Sequence, residues 1–346
     1  MEKDIKKNLL KWFRKNQRIL PWRKLYKNKL PNPYYIFVSE YMLQQTTVGT
    51  VKKRFEEFII KWPSVNDLSK IRESQILKFW SGLGYYSRAT NLLKATKIIK
   101  KKYGAKIPSN YNDLINLPGI GDYTANAILG IAFNKAVMPI DSNIERILTR
   151  LYGFQKPKSK IKNELSIKSK KFISKKFSTN LIQAFMDYGS IICTPRKPNC
   201  NQCFISANCI AYKKNLQNKI PIKKILYSNK KKKYSRAYIV CNEKNEILVR
   251  KRTSKGMLAS MLEIPNDKWV FNKKNLIHDK IILKVKNQLE SKGIIEYPFS
   301  HFNLVTEVFF INVKKNIFLE YKWINKKNLN KSGFPTVMKK ILEVGL

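Results

Sequence analysis

Residues 117–128 read LPGIGDYTANAI. Pro118, Gly119 and Gly121 punctuate the start of a run whose apolar residues recur at helical spacing over 124–133. A glycine turn directly before a helix lets the backbone approach a phosphate, and the N–H groups of the helix's first turn then face the anion. Taken alone, the same letters also describe an ordinary interhelical turn. Tyr123, next after Gly121-Asp122, opens the helix.

Helical spacing extends outward over 38–60, 88–100, 143–152 and 181–192, broken by Pro and Gly punctuation at 61–64, 82–84 and 194–199. Residues 1–212 therefore read as all-helical. The character changes at 213–233, KKNLQNKIPIKKILYSNKKKK, a basic stretch with one Pro that reads as an exposed linker. Beyond it, YSRAYIVCNEKNEILVRKRT (234–253) has the pattern of a β-hairpin turning at Asn242–Glu246. NLVTEVFFINV (303–313) and IFLEYKWI (317–324) read as further strands. The expected order is a helical domain over 1–212, a linker over 213–233, and a smaller α+β domain over 234–346. No long internal repeat is evident.

A chain of 346 residues, 43% of them hydrophobic, is long enough for two or three domains with real cores. No run of about 18 apolar residues exists to span a membrane. The opening MEKDIKKNLLKWF sets Leu9, Leu10, Trp12 and Phe13 among charges, which is an amphipathic helix rather than a signal peptide. A reducing, cytoplasmic location is the expectation. The net charge of +46 points to a polyanionic partner. The abundance of Lys, Ile and Asn also matches AT-rich coding, so charge alone supports nucleic-acid binding only in part.

Four of the five cysteines lie in CTPRKPNCNQCFISANC, where Cys193, Cys200, Cys203 and Cys209 leave gaps of six, two and five residues. Four thiolates so close in sequence suit one metal centre, and a reducing location argues against two disulfides. Tetrahedral zinc and a [4Fe–4S] cluster both take four thiolates, and spacing does not choose between them. Cys241 falls inside a predicted strand and reads as a small buried hydrophobe.

These pieces together resemble the helix–hairpin–helix DNA glycosylase superfamily. LPGIG is similar to its hairpin, Asp141 in PIDSNIERIL to its catalytic Asp, and the cysteine spacing to the [4Fe–4S] loop of its endonuclease III and MutY branches. VSEYMLQQT (38–46), WSGLGYYSRA (80–89) and PFSH (298–301) resemble stretches of the adenine DNA glycosylases of the MutY family. The resemblance is dense over 20–210 and sparse beyond. It implies an iron–sulfur cluster rather than zinc, and a Nudix-like second domain. Two positions depart from the family pattern: Ser142 stands where Gly is common, beside Asp141, and Tyr297 stands where His is common, before the PFSH motif.

The resemblance implies an enzyme that hydrolyses the N-glycosidic bond of adenine mispaired with 8-oxoguanine or guanine, acting as a monomer on double-stranded DNA. Because a base inside a duplex is out of reach, it must be extruded. Gln45, Thr46, Leu83 and Tyr85 are implied to fill the gap, and Gly119 and Gly121 to hold the DNA backbone. Glu40, amid the apolar residues of IFVSEYML, would stay protonated and act as the acid. Asp141, with Asn143 and Tyr123, would stabilise the cationic sugar. Asp141 also suits a helix N-cap. Trp22 and Arg23, with Gln183 and Asp187 four apart on one helix face, would line the adenine pocket. Ser300 would touch the oxidised guanine. The second domain has no acidic cluster of the Nudix hydrolase type near Gly256, so it reads as a lesion reader rather than a pyrophosphatase. Two alternatives stand beside this reading: a bifunctional endonuclease III-like glycosylase/lyase, which Tyr at position 123 opposes, and a non-catalytic iron–sulfur DNA-binding protein.

Overall fold

The structure, a computed structural model, describes residues 1–25, 30–222, 230–253, 256–280, 289–314 and 321–346. The chain forms two compact units. One comprises Met1–Lys70 and Asn91–Leu226, the other Ile71–Thr90 and Tyr227–Leu346.

The described helices run α1 Glu2–Asn16, α2 Pro33–Leu43, α3 Val48–Lys61, α4 Val65–Ser69, α5 Glu73–Trp80, α6 Ser87–Lys102, α7 Tyr111–Ile115, α8 Asp122–Ala132, α9 Ser142–Leu151, α10 Lys158–Lys170, α11 Ser178–Ile191 and α12 Ile210–Lys213, with α13 Thr336–Gly345 closing the chain. None is long and apolar enough to cross a membrane. In the first unit Ile5, Leu9 and Phe13 of α1 pack with Ile144, Ile147 and Leu148 of α9 and with Leu181 and Phe185 of α11. Burying apolar side chains of this size contributes about 1.5–3 kcal/mol each, which fixes these helices around one core.

The helical spacing over 38–60 is not one helix. Gln44–Thr46 form a turn in which Gln45 takes φ +60°, and the Thr47 hydroxyl caps α3 by accepting from Thr50 N. The cap satisfies an orphan N–H and restarts the helix in a new register. The start of the expected linker also differs from its reading. Ile220 is buried, and its carbonyl accepts from Arg150 Nε at 3.0 Å, so 213–222 is anchored to the helical unit. Residues 223–229 lie outside the described residues.

The second unit holds strands β1 Lys232–Asn242, β2 Glu246–Lys251, β3 Leu262–Glu263, β4 Glu290–Pro298, β5 Asn303–Val313 and β6 Lys322–Asn325. The sheet order is β3-β2-β1-β5-β4, with β6 on β2. The expected hairpin is β1–β2, paired antiparallel at Cys241–Ile247, and the Asn242 carboxamide shapes its turn by accepting from Lys244 N and Glu246 N. β5 pairs parallel with β1, from Lys232–Asn303 to Asn242–Val313. Of the expected strand 317–324, residues 317–320 lie outside the described residues. Ile239, Val308 and Ile341 share one core that includes α13, and Cys241 is buried in it.

Candidate active site and cysteine loop

A cavity of about 610 Å³ in the helical unit is walled by α2, α8, α9, α11 and the single turn Pro21–Arg23. Glu40, Tyr123, Asp141, Asn143, Trp22, Arg23, Gln183, Gln45 and Thr46, singled out along the sequence, all line it.

Glu40 is only 6% exposed. Burial, reinforced by the nearby charge of Asp141, pushes its carboxyl up to about 8, against a hydrogen bond from Tyr123 that favours the ionised form. Asp141 is the N-cap of α9. One of its oxygens accepts from Asn143 N at 3.0 Å and Ile144 N at 2.7 Å, and the other accepts from Asn143 Nδ2 at 2.7 Å. The two expected roles of Asp141, helix cap and pocket carboxylate, therefore coincide in one side chain. Burial raises its pKa despite these donors. Arg146 reaches from α9 to Asn143 Oδ1 at 2.9 Å and to the Cys193 carbonyl at 2.7 Å, linking the pocket wall to the start of the cysteine loop.

Asp187 is absent from the cavity wall and stands one layer behind it, fully buried. It accepts a bidentate pair of bonds from Arg23 at 2.7 and 2.8 Å and further bonds from Arg18 Nε at 2.6 Å and Arg18 N at 2.9 Å. These donors hold its carboxyl below the usual range even though burial works the other way. Arg18 itself lines the cavity and was not anticipated from the sequence. Its only signal there is a position just ahead of LPWR. Gln183 donates Nε2 to the Thr179 carbonyl at 3.1 Å, and its Oε1 is buried without a partner. A lone buried acceptor of this kind is costly unless something donates to it.

At the 117–121 turn, Gly119 has φ +80°, and a Cβ there would stand 2.9 Å from both Tyr41 Cε1 and Asn91 Cβ. The Tyr41 hydroxyl donates to the Pro118 carbonyl beside it. Gly121 differs: it is exposed, its φ is −101°, and nothing lies within 4 Å of an added Cβ. As N-cap of α8 it offers no side-chain acceptor, so the first N–H groups of that helix are left without a side-chain cap.

Leu83, Tyr85 and Ser300 belong to the other unit. Leu83 is buried, whereas Tyr85 is 47% exposed, and its hydroxyl lies 2.8 Å from Ser300 Oγ. Tyr297 packs its ring on Phe299 with centroids 5.0 Å apart.

Cys193, Cys200, Cys203 and Cys209 are unpaired thiols around one small cavity that Arg150 and Gln217 also line. Arg150 Nη1 donates to Cys193 Sγ at 3.3 Å and to the Thr194 carbonyl at 2.7 Å. Burial, together with the neighbouring thiols, pushes the Cys200, Cys203 and Cys209 thiols up. Ionising these three therefore requires compensating positive charge. Among the described residues no three His, Cys, Asp or Glu side chains close on a single ion.

The helix–hairpin–helix superfamily of base excision DNA repair proteins matches residues 38–171, and the NUDIX domain matches 236–344. The adenine DNA glycosylase of Buchnera aphidicola subsp. Schizaphis graminum is 35% identical over 97% of this chain and 97% of its own length. That of Rattus norvegicus is 34% identical over 61% of this chain and 42% of its own. A thermostable thymine-DNA glycosylase superposes on 62% of this chain and 97% of its own with a TM-score of 0.56 at 30% identity. Endonuclease III covalently trapped on DNA shares the fold, with a TM-score of 0.52 at 21% identity over 62% of this chain and 99% of its own. With a full-length relative at this identity and both domain types in order, the chain belongs to the adenine DNA glycosylase (MutY) family, a DNA N-glycosylase of base excision repair.

Proposed function

We propose that this enzyme excises adenine mispaired with 8-oxoguanine or guanine and leaves an abasic site without cutting the strand. The observation that carries the reading is Glu40, a buried carboxyl held protonated to about pH 8 in the same cavity as a second, backbone-capped carboxylate. Two carboxyls in different surroundings divide the roles of acid and cation stabiliser. Adenine leaves poorly as an anion, and a proton from Glu40 on N7 makes it neutral. Asp141 then faces the oxocarbenium-like sugar and stabilises or traps it, with Asn143 holding its orientation. The orphaned Gln183 Oε1 matches the exocyclic amino group of adenine, and Trp22 and Arg23 line the same cavity. Tyr123 carries a phenol, which forms no imine with the sugar, and this supports a monofunctional reaction. Uncapped N–H groups behind Gly121 suit a backbone phosphate. Gln45, Thr46, Leu83 and Tyr85 occupy the gap left by the extruded base, and Ser300 contacts the oxidised guanine.

The four thiols suit a [4Fe–4S] cluster. They surround one cavity, and Arg150 and Arg146 bring positive charge to Cys193. When bound, the cluster would take the four thiolates as ligands, its cationic core would offset part of their charge, and it would cross-link the loop. Single-turnover reactions on duplexes with A opposite 8-oxoguanine, guanine or thymine test the whole reading. Fast release opposite 8-oxoguanine, slower release opposite guanine, and strand breakage only after alkali are expected. Direct strand cleavage would indicate the lyase alternative, and binding without release the non-catalytic one.

A further inference from the structure

We propose that Arg88 is a positioning residue that holds the Leu83–Tyr85 loop in the shape in which it enters DNA. The inference rests on the reading of Leu83 and Tyr85 as residues that fill the extrusion gap and push on the opposing base.

Arg88 stands in the first turn of α6 and is 6% exposed. In a chain of net charge +46, this cation is turned inward. Nη2 donates to the carbonyls of Leu83 at 2.9 Å and Gly84 at 3.0 Å, and Nε donates to that of Tyr85 at 3.4 Å. Its Cζ lies 5.5 Å from the centroids of both the Trp80 and Tyr85 rings. The guanidinium thus collects three successive carbonyls and lies against the aromatic ring proposed to work on DNA.

Those carbonyls converge only because the loop takes left-handed backbone, with φ +94° at Gly82, +68° at Gly84 and +46° at Tyr85. Tyr85 is not glycine, so its conformation is disfavoured locally and persists only where the surroundings over-determine it. Arg88 supplies that determination from one side. The Ser81 hydroxyl, donating to the Phe334 carbonyl at 2.9 Å, supplies it from another. A planar fork of donors serves several carbonyls at once, whereas a lysine ammonium acts as one compact point charge.

The test compares full-length Arg88→Lys, Arg88→Met and Tyr85→Ala with wild type on two substrates. One is the 8-oxoguanine:A duplex. The other is a duplex with A opposite an abasic site, where no opposing base has to be pushed aside. Thermal melting reports folding, and Arg88→Lys carries the test if Arg88→Met does not fold. Displacing an interacting group by about 1 Å costs on the order of 10²-fold in rate, so both Arg88 variants should lose up to that much on the first substrate, Lys less than Met. On the second they should match wild type. Tyr85→Ala should lose rate on the first substrate. Wild-type rates for both Arg88 variants beside a slow Tyr85→Ala would overturn the inference alone. A wild-type rate for Tyr85→Ala would overturn the reading beneath it. Equal losses on both substrates would make Arg88 a support of the fold or the chemistry, which also overturns the proposal.

Discussion

Glu40 and Asp187 are both buried carboxyls of the helical unit, 6% and 0% exposed, yet they titrate in opposite directions. Asp187 meets two guanidiniums and a backbone N–H, which together outweigh desolvation. Glu40 meets a phenol and a second carboxylate, and desolvation wins. Burial therefore does not decide ionisation in this protein; the partner does. The more deeply buried acid builds the pocket wall by fixing Arg18 and Arg23, and the acid kept away from cations remains able to give a proton.

Breaking the proton-donor side should have the largest effect. Glu40→Gln keeps the shape of a protonated carboxyl but has no acidic proton. Adenine release should fall by about 10²–10⁴-fold while duplex affinity is unchanged, because the groups proposed to meet phosphate lie elsewhere. Single-turnover kinetics and a gel-shift titration on the same duplex measure the two arms. A near-normal rate would reduce Glu40 to a buried helix residue.

Breaking the scaffold side should be felt in stability first. Asp187→Asn leaves Arg18 and Arg23 without their shared anion. Removing one partner of a buried ion pair costs about 3–5 kcal/mol, with the lower end expected here because Arg18 remains 23% exposed. Urea unfolding at neutral pH gives the number. The pH dependence has a definite sign. The lowered pKa of Asp187 means that its contribution is present above the ordinary Asp range and is lost as pH falls through the folded value. Wild type should therefore lose its advantage over Asp187→Asn in acid.

Glu40 should behave in the reverse way. Its folded pKa is raised from 4.5 to about 8, so the protonated folded state is favoured below the unfolded value, and that stability is lost as pH rises through about 8. Glu40→Gln should match wild type near pH 4.5 and exceed it at pH 9 by on the order of 2 kcal/mol, a figure discounted for the coupling to Asp141. Denaturant midpoints at the two pH values test this. Adenine release by wild type should fade over the same rise in pH.

Much of the site was legible in the sequence because its parts are local. The glycine turn, the N-cap role of Asp141, and four thiols in one loop each declare themselves within a few residues, whereas the pocket role of Asp141 came only from the family resemblance. What escaped is tertiary. Arg18 lines the cavity only because Asp187, far along the chain, draws it there. The turn at 44–47, QQTT, lies inside a stretch read at helical spacing, because periodicity does not register a capped restart. Residues 71–90 fell within the expected helical domain 1–212, yet they group with the second unit, where Ser81 and Tyr85 find their partners at Phe334 and Ser300. Composition gave 213–222 as exposed, and one buried isoleucine with its carbonyl on Arg150 was enough to anchor it.

The smallest expected signal bears most directly on the contrast between the two carboxyls. Burial keeps Glu40 protonated even though Tyr123 donates to it, because the phenol adds no positive charge. Tyr123→Lys would give Glu40 the kind of partner that Asp187 has. An ammonium beside the carboxylate favours its ionised form, so the acid should be lost and adenine release should fall with it. The same lysine stands among the residues lining the cavity with Asp141, and a fraction deprotonated by burial could attack the sugar C1′ and form a Schiff base. The two effects oppose each other on adenine-containing DNA, so the decisive substrate is duplex DNA that already carries an abasic site. On it Tyr123→Lys should be trapped by borohydride in modest yield, with some strand nicking, whereas wild type should trap weakly or not at all. Efficient trapping and nicking by wild type would defeat the monofunctional assignment. A folded, DNA-binding Tyr123→Lys that never traps would remove position 123 from reach of the sugar, and the phenol would then serve only to hold Glu40.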